Sequence, residues 1–107
     1  MTGGHPRHDL DDVLITPLRF SVMAALRSDV EIDFATLRDL LEAEDSALSK
    51  AISTLSAAGY IAVRKGYVGS RPRTWVTGTP AGSSAFTVHL TALQAIAAGL
   101  PGTSTHD

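Results

Sequence analysis

A chain of 107 residues, 44% apolar and 19% charged, is long enough for one domain with one modest core and too short for two, and this composition excludes an intrinsically disordered protein. The absence of cysteine excludes disulfide staples, thiolate metal sites and thiol redox sensing. The formal net charge of -2 conceals an asymmetry: ten of the eleven acids lie between Asp9 and Asp45, whereas residues 46–106 hold no acid and five cations, so that a polyanion meets the second half as basic.

Gly3, Gly4, Pro6 and two histidines give residues 1–8 the composition of a flexible tail, and PGTST gives 100–107 the same. The start, MTGGHPRHDLDD, has no apolar h-region, and no apolar run approaches the ~18 residues of a membrane span, so a cytoplasmic chain is expected. Residues 9–28 read as a broken first helix: Asp9 caps a short piece carrying Leu10, Val13 and Leu14, and Thr16-Pro17 restarts it as N-cap and N1 ahead of Leu18, Val22, Met23 and Leu26. Glu31-Ile32 is a short extended piece. Asp33 caps a second helix with Phe34, Leu37, Leu40 and Leu41, and Asp45 caps a third with Leu48, Ile52 and Leu55, stopped by Gly59. Tyr60–Lys65 and Thr74–Thr77 favour strands through their β-branched and aromatic content, with RKGYVGSRPRTW connecting them. Thr79-Pro80 opens a last helix that Gly99-Leu100-Pro101 closes.

The expected fold is therefore α+β, mainly α: helix, short strand, helix, helix, β-hairpin wing, long C-terminal helix, the winged helix-turn-helix order, occupying residues 9–99. On the third helix Leu48, Ala51, Ile52 and Leu55 cluster on one side. The opposite side carries Ser46, Lys50, Ser53 and Ala57, flanked by Ser49 and Thr54, small and hydroxyl-rich enough to enter a major groove about 12 Å wide; Ala47 is counted with these as a DNA-facing residue. If the strands alternate, Ile61 and Val63 face the core and Arg64 faces away; Lys65 follows it. Pro72 is expected to interrupt regular strand structure, and Gly66 and Gly69 to let the backbone approach another surface. Arg71 and Arg73 flank that proline, and their guanidinium groups suit phosphate or a narrow minor groove.

With these pieces in place the chain resembles the winged-helix transcriptional regulators related to the MarR and ArsR groups. The resemblance covers residues 9–97 and rests on PLRFSVMAAL, DFATLRDLL, ALSKAISTLSAAGYIAVRK, the RPRT wing tip and TPAGSSAF, in that order. It implies double-stranded DNA binding by a homodimer, with base contacts from the third helix and backbone contacts from the wing. Two positions depart from the family pattern. Ala51 stands where histidine often follows Ser-Lys, and Gly78 stands where leucine usually precedes the Thr that opens the last helix, which predicts weaker packing at the base of the wing.

A dimer is also expected from the residues themselves. From Thr74 to His106 no Asp, Glu, Lys or Arg occurs, a span containing the whole last helix, assigned here as a dimerisation helix over 80–98. One of its apolar stripes can cover the core and leave another for a second copy. The expected interface joins Phe86, His89, Leu90, Leu93, Ile96, Ala97 and Leu100 to Leu10, Val13, Leu14 and Phe20. Two-fold symmetry places the recognition helices about 34 Å apart and predicts a palindromic operator. Lys50, Arg64, Arg71 and Arg73 are the expected phosphate contacts.

No enzyme is expected. Asp11 and Asp12 sit at a helix beginning, where acids stabilise the positive end of the dipole, and no phosphate loop, nucleophile elbow or metal motif occurs; no cofactor is called for. His5 and His8 lack further ligands beyond Asp9 nearby in sequence. The rival reading is a winged helix that binds a protein partner without direct DNA contact. A cleft between the first and last helices leaves room for a small-molecule effector, which the sequence does not name.

Overall fold

The computed structural model describes residues 4–27 and 30–99. Helix α1 spans Pro17–Leu26; Thr16 caps it by accepting the Arg19 N–H at 3.4 Å, and Pro17 takes the first position, where its missing donor costs nothing. Strand β1 (Glu31–Asp33) leads directly into α2 (Phe34–Leu41), whose cap is Asp33. The Thr36 hydroxyl donates to Asp33 Oδ1 at 2.6 Å, and this bond, with the Thr36 backbone N–H and the nearby Arg73 charge, holds the Asp33 carboxyl below its ordinary range.

Glu42 ends α2 in the left-handed conformation at φ 52°, which reverses the chain within three residues into α3 (Asp45–Ala57). The N-cap of α3 is Glu44 rather than Asp45, and it makes no side-chain capping bond. Asp45 occupies the first turn instead, because its carboxylate is drawn 3.0 Å from Arg38 Nη1 of α2. A Schellman motif closes α3: Gly59 takes φ +81°, its N–H donates to Ser56 O, and Tyr60 N–H donates to Leu55 O, each at 3.0 Å.

Strands β2 (Ile61–Val68) and β3 (Arg71–Gly78) pair along their whole length, and β1 adds to the other side of β3 at Trp75–Thr77, giving the antiparallel order β1-β3-β2. The stretch expected as an irregular loop is thus regular hairpin nearly to its tip. Pro72 is tolerated because β1 stops short of it, leaving β3 an edge strand there, and because Pro72 lies opposite Tyr67 one step from the closing Val68–Arg71 pair, where no ladder bond to β2 needs its nitrogen. Gly69, at φ +64°, supplies the first residue of the two-residue turn with Ser70.

Helix α4 (Pro80–Ala97) starts at Thr79, whose Oγ1 accepts the Gly82 N–H at 3.0 Å and donates to Gly59 O at 2.7 Å. A Cβ on Gly82 would strike the Tyr60 carbonyl oxygen, so this glycine sets how closely α4 approaches the end of α3. Gly78 acts alike at the base of the wing. A Cβ there would lie 2.8 Å from Leu26 O and 3.0 Å from Arg27 O, so the departure from leucine brings the end of α1 against β3 and tightens the packing that it was expected to weaken. The core between these elements holds Leu14, Val22, Met23, Leu26, Leu37, Leu48, Ile52, Leu55, Ile61, Val76 and Phe86. Ala51, the other departure, is buried on the inner side of α3.

The N-terminal segment differs most from expectation. Pro6–Asp9 and Asp12–Leu14 are two separate 3-10 turns, capped by His5 and Asp11 rather than by Asp9. Pro6 is buried and its turn packs against α4, so residues 6–8 are docked where a free tail was expected. The second turn does not propagate into α1, because Pro17 has no N–H for the Val13 carbonyl; Arg19 Nε donates to that oxygen instead at 2.6 Å, and Nη2 donates to Asp12 O at 3.3 Å. The expected helix end at Ser28-Asp29 and the closing Leu100-Pro101 with the C-terminal tail lie outside the described residues.

Candidate nucleic-acid interface

Burial of Leu48, Ala51, Ile52 and Leu55 turns the opposite side of α3 to solvent. Ser46, Ala47, Ser49, Lys50 and Ser53 are all exposed there, as the sequence spacing predicted. Thr54 is not: it is half-buried, and its hydroxyl donates back to the Lys50 carbonyl at 3.1 Å, so its donor is spent within the helix.

The wing adds a second surface beside this one. Strand alternation puts Val63, Lys65 and Tyr67 of β2 on one face with Thr74 of β3, and that face looks toward α3. An open groove runs between the two elements, lined by Ser49, Ile52 and Ser53 from α3, Val63, Lys65 and Thr74 from the wing, and Phe34 from α2. Val63 is therefore 37% exposed at the groove wall, and only Ile61 of the expected inward pair is buried. Hydroxyls, a free ammonium group and apolar walls in one trough suit a sugar-phosphate strand.

Arg71 and Arg73 occupy the other face of the blade, exposed, with a second open cleft separating them from Asp33 and Phe34 at the start of α2. Among the described residues Lys50, Lys65, Arg71 and Arg73 form no salt bridge. Arg64 behaves differently. Its Nη2 lies 2.9 Å from Glu31 Oε1, its Nε donates to Oε2 at 3.3 Å, and its guanidinium stacks 4.1 Å from the centre of the Trp75 ring. The bonded guanidinium lowers the Glu31 pKa, and the carboxylate raises that of Arg64. The chemistry expected of Arg64 as a free phosphate ligand is thus engaged within the sheet. Gly66 serves the same cluster, since a Cβ there would come 3.2 Å from the Trp75 ring. The place of Thr74 beside α3 was not foreseen from the sequence; period-two alternation carried from Lys65 through Gly66, with Thr74 opposite Lys65, puts Thr74 and Tyr67 on that strand face.

The expected dimer residues divide in two. Leu14, Phe86 and His89 are 1%, 4% and 1% exposed, because the face of α4 that carries them closes the chain's own core. Phe20 stacks on Phe86 with ring centres 4.9 Å apart, and His89 Nδ1 accepts the Asp11 N–H at 2.9 Å. The same stack packs α1 against α4, where a small-molecule cleft was expected. Leu10, Val13, Leu90, Leu93, Ile96 and Ala97 keep partly or fully exposed surface, and Val88, at 54%, joins them; Leu100 lies outside the described residues. Leu10 faces Ala85 and Val88 across a shallow groove whose other walls include Asp9, Asp11 and Asp12.

No cluster of His, Cys, Asp or Glu among the described residues has the arrangement of a metal site, and no described helix is long and apolar enough to cross a membrane. The fold matches that of several solved regulators. A transcriptional regulator homologue from Pyrococcus horikoshii OT3 is 24% identical with a TM-score of 0.77, over 87% of this chain and 93% of that one. BpsR of Bordetella bronchiseptica is 20% identical with a TM-score of 0.68, over 87% and 70%. A MarR-family regulator from Silicibacter pomeroyi is 24% identical with a TM-score of 0.61, over 85% of this chain and 60% of that one. No curated protein sequence matches significantly. A family profile described as a winged helix DNA-binding domain matches residues 18–97, from the second residue of α1 to the last of α4, and the chain belongs to that winged helix DNA-binding family.

Proposed function

We propose that the chain is a sequence-specific transcriptional regulator that binds a palindromic operator as a homodimer, with α3 in the major groove and the wing on the flanking backbone and minor groove. The observation that carries this reading is the trough between α3 and the wing, where Ser49, Ser53, Lys65 and Thr74 converge beside the exposed, hydroxyl-lined face of α3. Such a trough straddles one sugar-phosphate strand, leaving base edges to α3 and the next groove to the wing. Lys65 takes the place that sequence reading gave to Arg64 among the phosphate ligands.

Dimerisation rests on α4, whose outward side has no charged residue and exposes Val88 and Leu93. A solvent-facing helix of 18 residues ordinarily carries charges there. An effector is compatible with this family of folds, since DNA binding by BpsR is regulated by 6-hydroxynicotinic acid. In this chain the shallow groove beside α4 is lined by Asp9, Asp11 and Asp12, which favours a neutral or cationic compound over a carboxylate.

The test is capture of fragments from the organism's own genomic DNA by the purified full-length chain. Enrichment of a palindrome with half-sites about one helical turn apart, bound with steep salt dependence, is the expected result. Absence of retention on any DNA at low salt would replace this reading with a protein-binding winged helix.

A further inference from the structure

Tyr67 is 71% exposed, more than any other large apolar side chain among the described residues. Val68 and Pro72 beside it are exposed too, so the wing tip is apolar, yet its surroundings are cationic through Lys65, Arg71 and Arg73. Tyr67 stands directly opposite Pro72 on the same face of the blade, so the apolar surface at the tip is contiguous and not one isolated ring.

We propose that Tyr67 is a shape-reading contact, its ring entering the DNA minor groove next to the major groove occupied by α3. The inference rests on the DNA-binding reading and adds a specificity residue to it. The geometry runs outward from the trough. Lys65 lines it together with Ser49 and Ser53 of α3, and Tyr67 lies on the same strand face two residues on, about 7 Å farther along the strand toward the wing tip. A phosphate strand lying in the trough has its major groove on the α3 side and its minor groove on the wing side, which puts Tyr67 past the phosphates. The minor groove is about 6 Å wide, enough for one ring on edge and too narrow for a hairpin, so the side chain and not the strand pair is what fits. Its walls are deoxyribose and phosphate, matching an apolar ring with Lys65 on its own face of the blade and Arg71 and Arg73 on the other. The guanine 2-amino group stands up from the floor of that groove, so the ring favours A·T pairs.

The experiment uses the full chain and a duplex recovered by selection from random sequence, with the pairs flanking the α3 half-sites made A·T, inosine·C or G·C. Inosine·C lacks the 2-amino group but keeps the major-groove face of G·C. The wild type is expected to bind the A·T and inosine·C duplexes equally and the G·C duplex about tenfold more weakly. Tyr67→Ala, a surface change that leaves the core intact, is expected to bind all three within about twofold of one another, while Tyr67→Phe keeps the wild-type order. Undiminished discrimination in Tyr67→Ala overturns the proposal. So does wild-type rejection of inosine·C as strong as that of G·C, which is major-groove reading, or wild-type affinity independent of the flanks. Tyr67→Ala protein that discriminates normally but changes its mass in solution assigns the ring to a protein contact. A wild type that binds no duplex at low salt removes the DNA-binding reading itself, and the Tyr67 contact with it.

Discussion

The guanidinium of Arg64 lies between the carboxylate of Glu31, 2.9 Å away, and the ring of Trp75, whose centre is 4.1 Å from its central carbon. Glu31 and Trp75 come from different strands, so Arg64 ties β2 across β3 to β1 at the root of the wing. An exposed ion pair contributes little to stability by itself. Its effect is on which cations remain for DNA.

That division predicts a salt titration. With Lys50, Lys65, Arg71 and Arg73 each neutralising one phosphate, a dimer makes about eight contacts and the slope of log affinity against log salt is about -7. Lys65→Ala or Arg71→Ala removes two contacts per dimer and flattens the slope by about 2, whereas Arg64→Ala leaves it unchanged. Affinity measured between 50 and 300 mM salt for the three variants checks this. A slope loss for Arg64→Ala equal to that for Arg71→Ala would show that the ion pair opens on DNA.

A second prediction concerns the link between the N-terminal turns and the wing root. Tyr60 donates its phenolic hydrogen to Asp11 Oδ2 at 2.5 Å, and Asp11 also accepts from Val13 and donates its own N–H to His89. The bond to Asp11, then burial, raises the Tyr60 pKa above its ordinary value of about 10. A raised folded-state pKa means that the fold favours the neutral phenol. Its stabilisation is therefore fully present below pH ~10 and disappears as the pH climbs through the folded-state value. Tyr60→Phe is expected to cost about 1 kcal/mol near neutrality, read from urea unfolding, with the difference from wild type shrinking above pH ~10. A difference that stays constant into strong alkali would argue against the bond.

Much of this architecture was legible because it is encoded locally. Thr16, Asp33, Thr79 and Gly59 announce their helix ends with one side chain or one missing Cβ each, and the structure uses all four as such. What failed depends on contacts between different elements. Asp45 lost the cap position of α3 to a contact with Arg38, and Arg64 was claimed by Glu31, 33 residues away. Helix α4 is apolar on nearly every side, so periodicity alone could not decide that Phe86 and His89 turn inward while Val88 turns out. Of the candidate site, the α3 face was readable from its own spacing. The facing of the wing was not, because the reading broke the strands at Gly66 and Pro72 and so lost the alternation beyond them.

Gly82 offers a prediction whose sign is diagnostic. In a helix interior, exchanging glycine for alanine ordinarily stabilises by about 1 kcal/mol. Here the added Cβ would meet the Tyr60 carbonyl, which is backbone, and Met23 Cε at 2.7 Å, so α4 would have to move away from the end of α3. Gly82→Ala is expected to destabilise by about 2 kcal/mol, lowering the Tm by roughly 8 °C. A gain in Tm would mean that α4 is free to shift.

The last prediction addresses α4 as an interface. Val88 and Leu93 are 54% and 37% exposed, so a carboxylate at either position disturbs the folded subunit little. At a two-fold interface the same carboxylate is buried without a partner and appears twice, which costs several kcal/mol and weakens association by about 100-fold or more. Val88→Glu and Leu93→Glu are therefore expected to sediment as the 11.2 kDa subunit under conditions where the wild type sediments at twice that mass. Circular dichroism of both variants should match the wild type, and their affinity for a palindromic duplex should fall to that for a single half-site. If both still sediment at twice the subunit mass, the second copy docks elsewhere, and the uncharged face of α4 has lost its explanation.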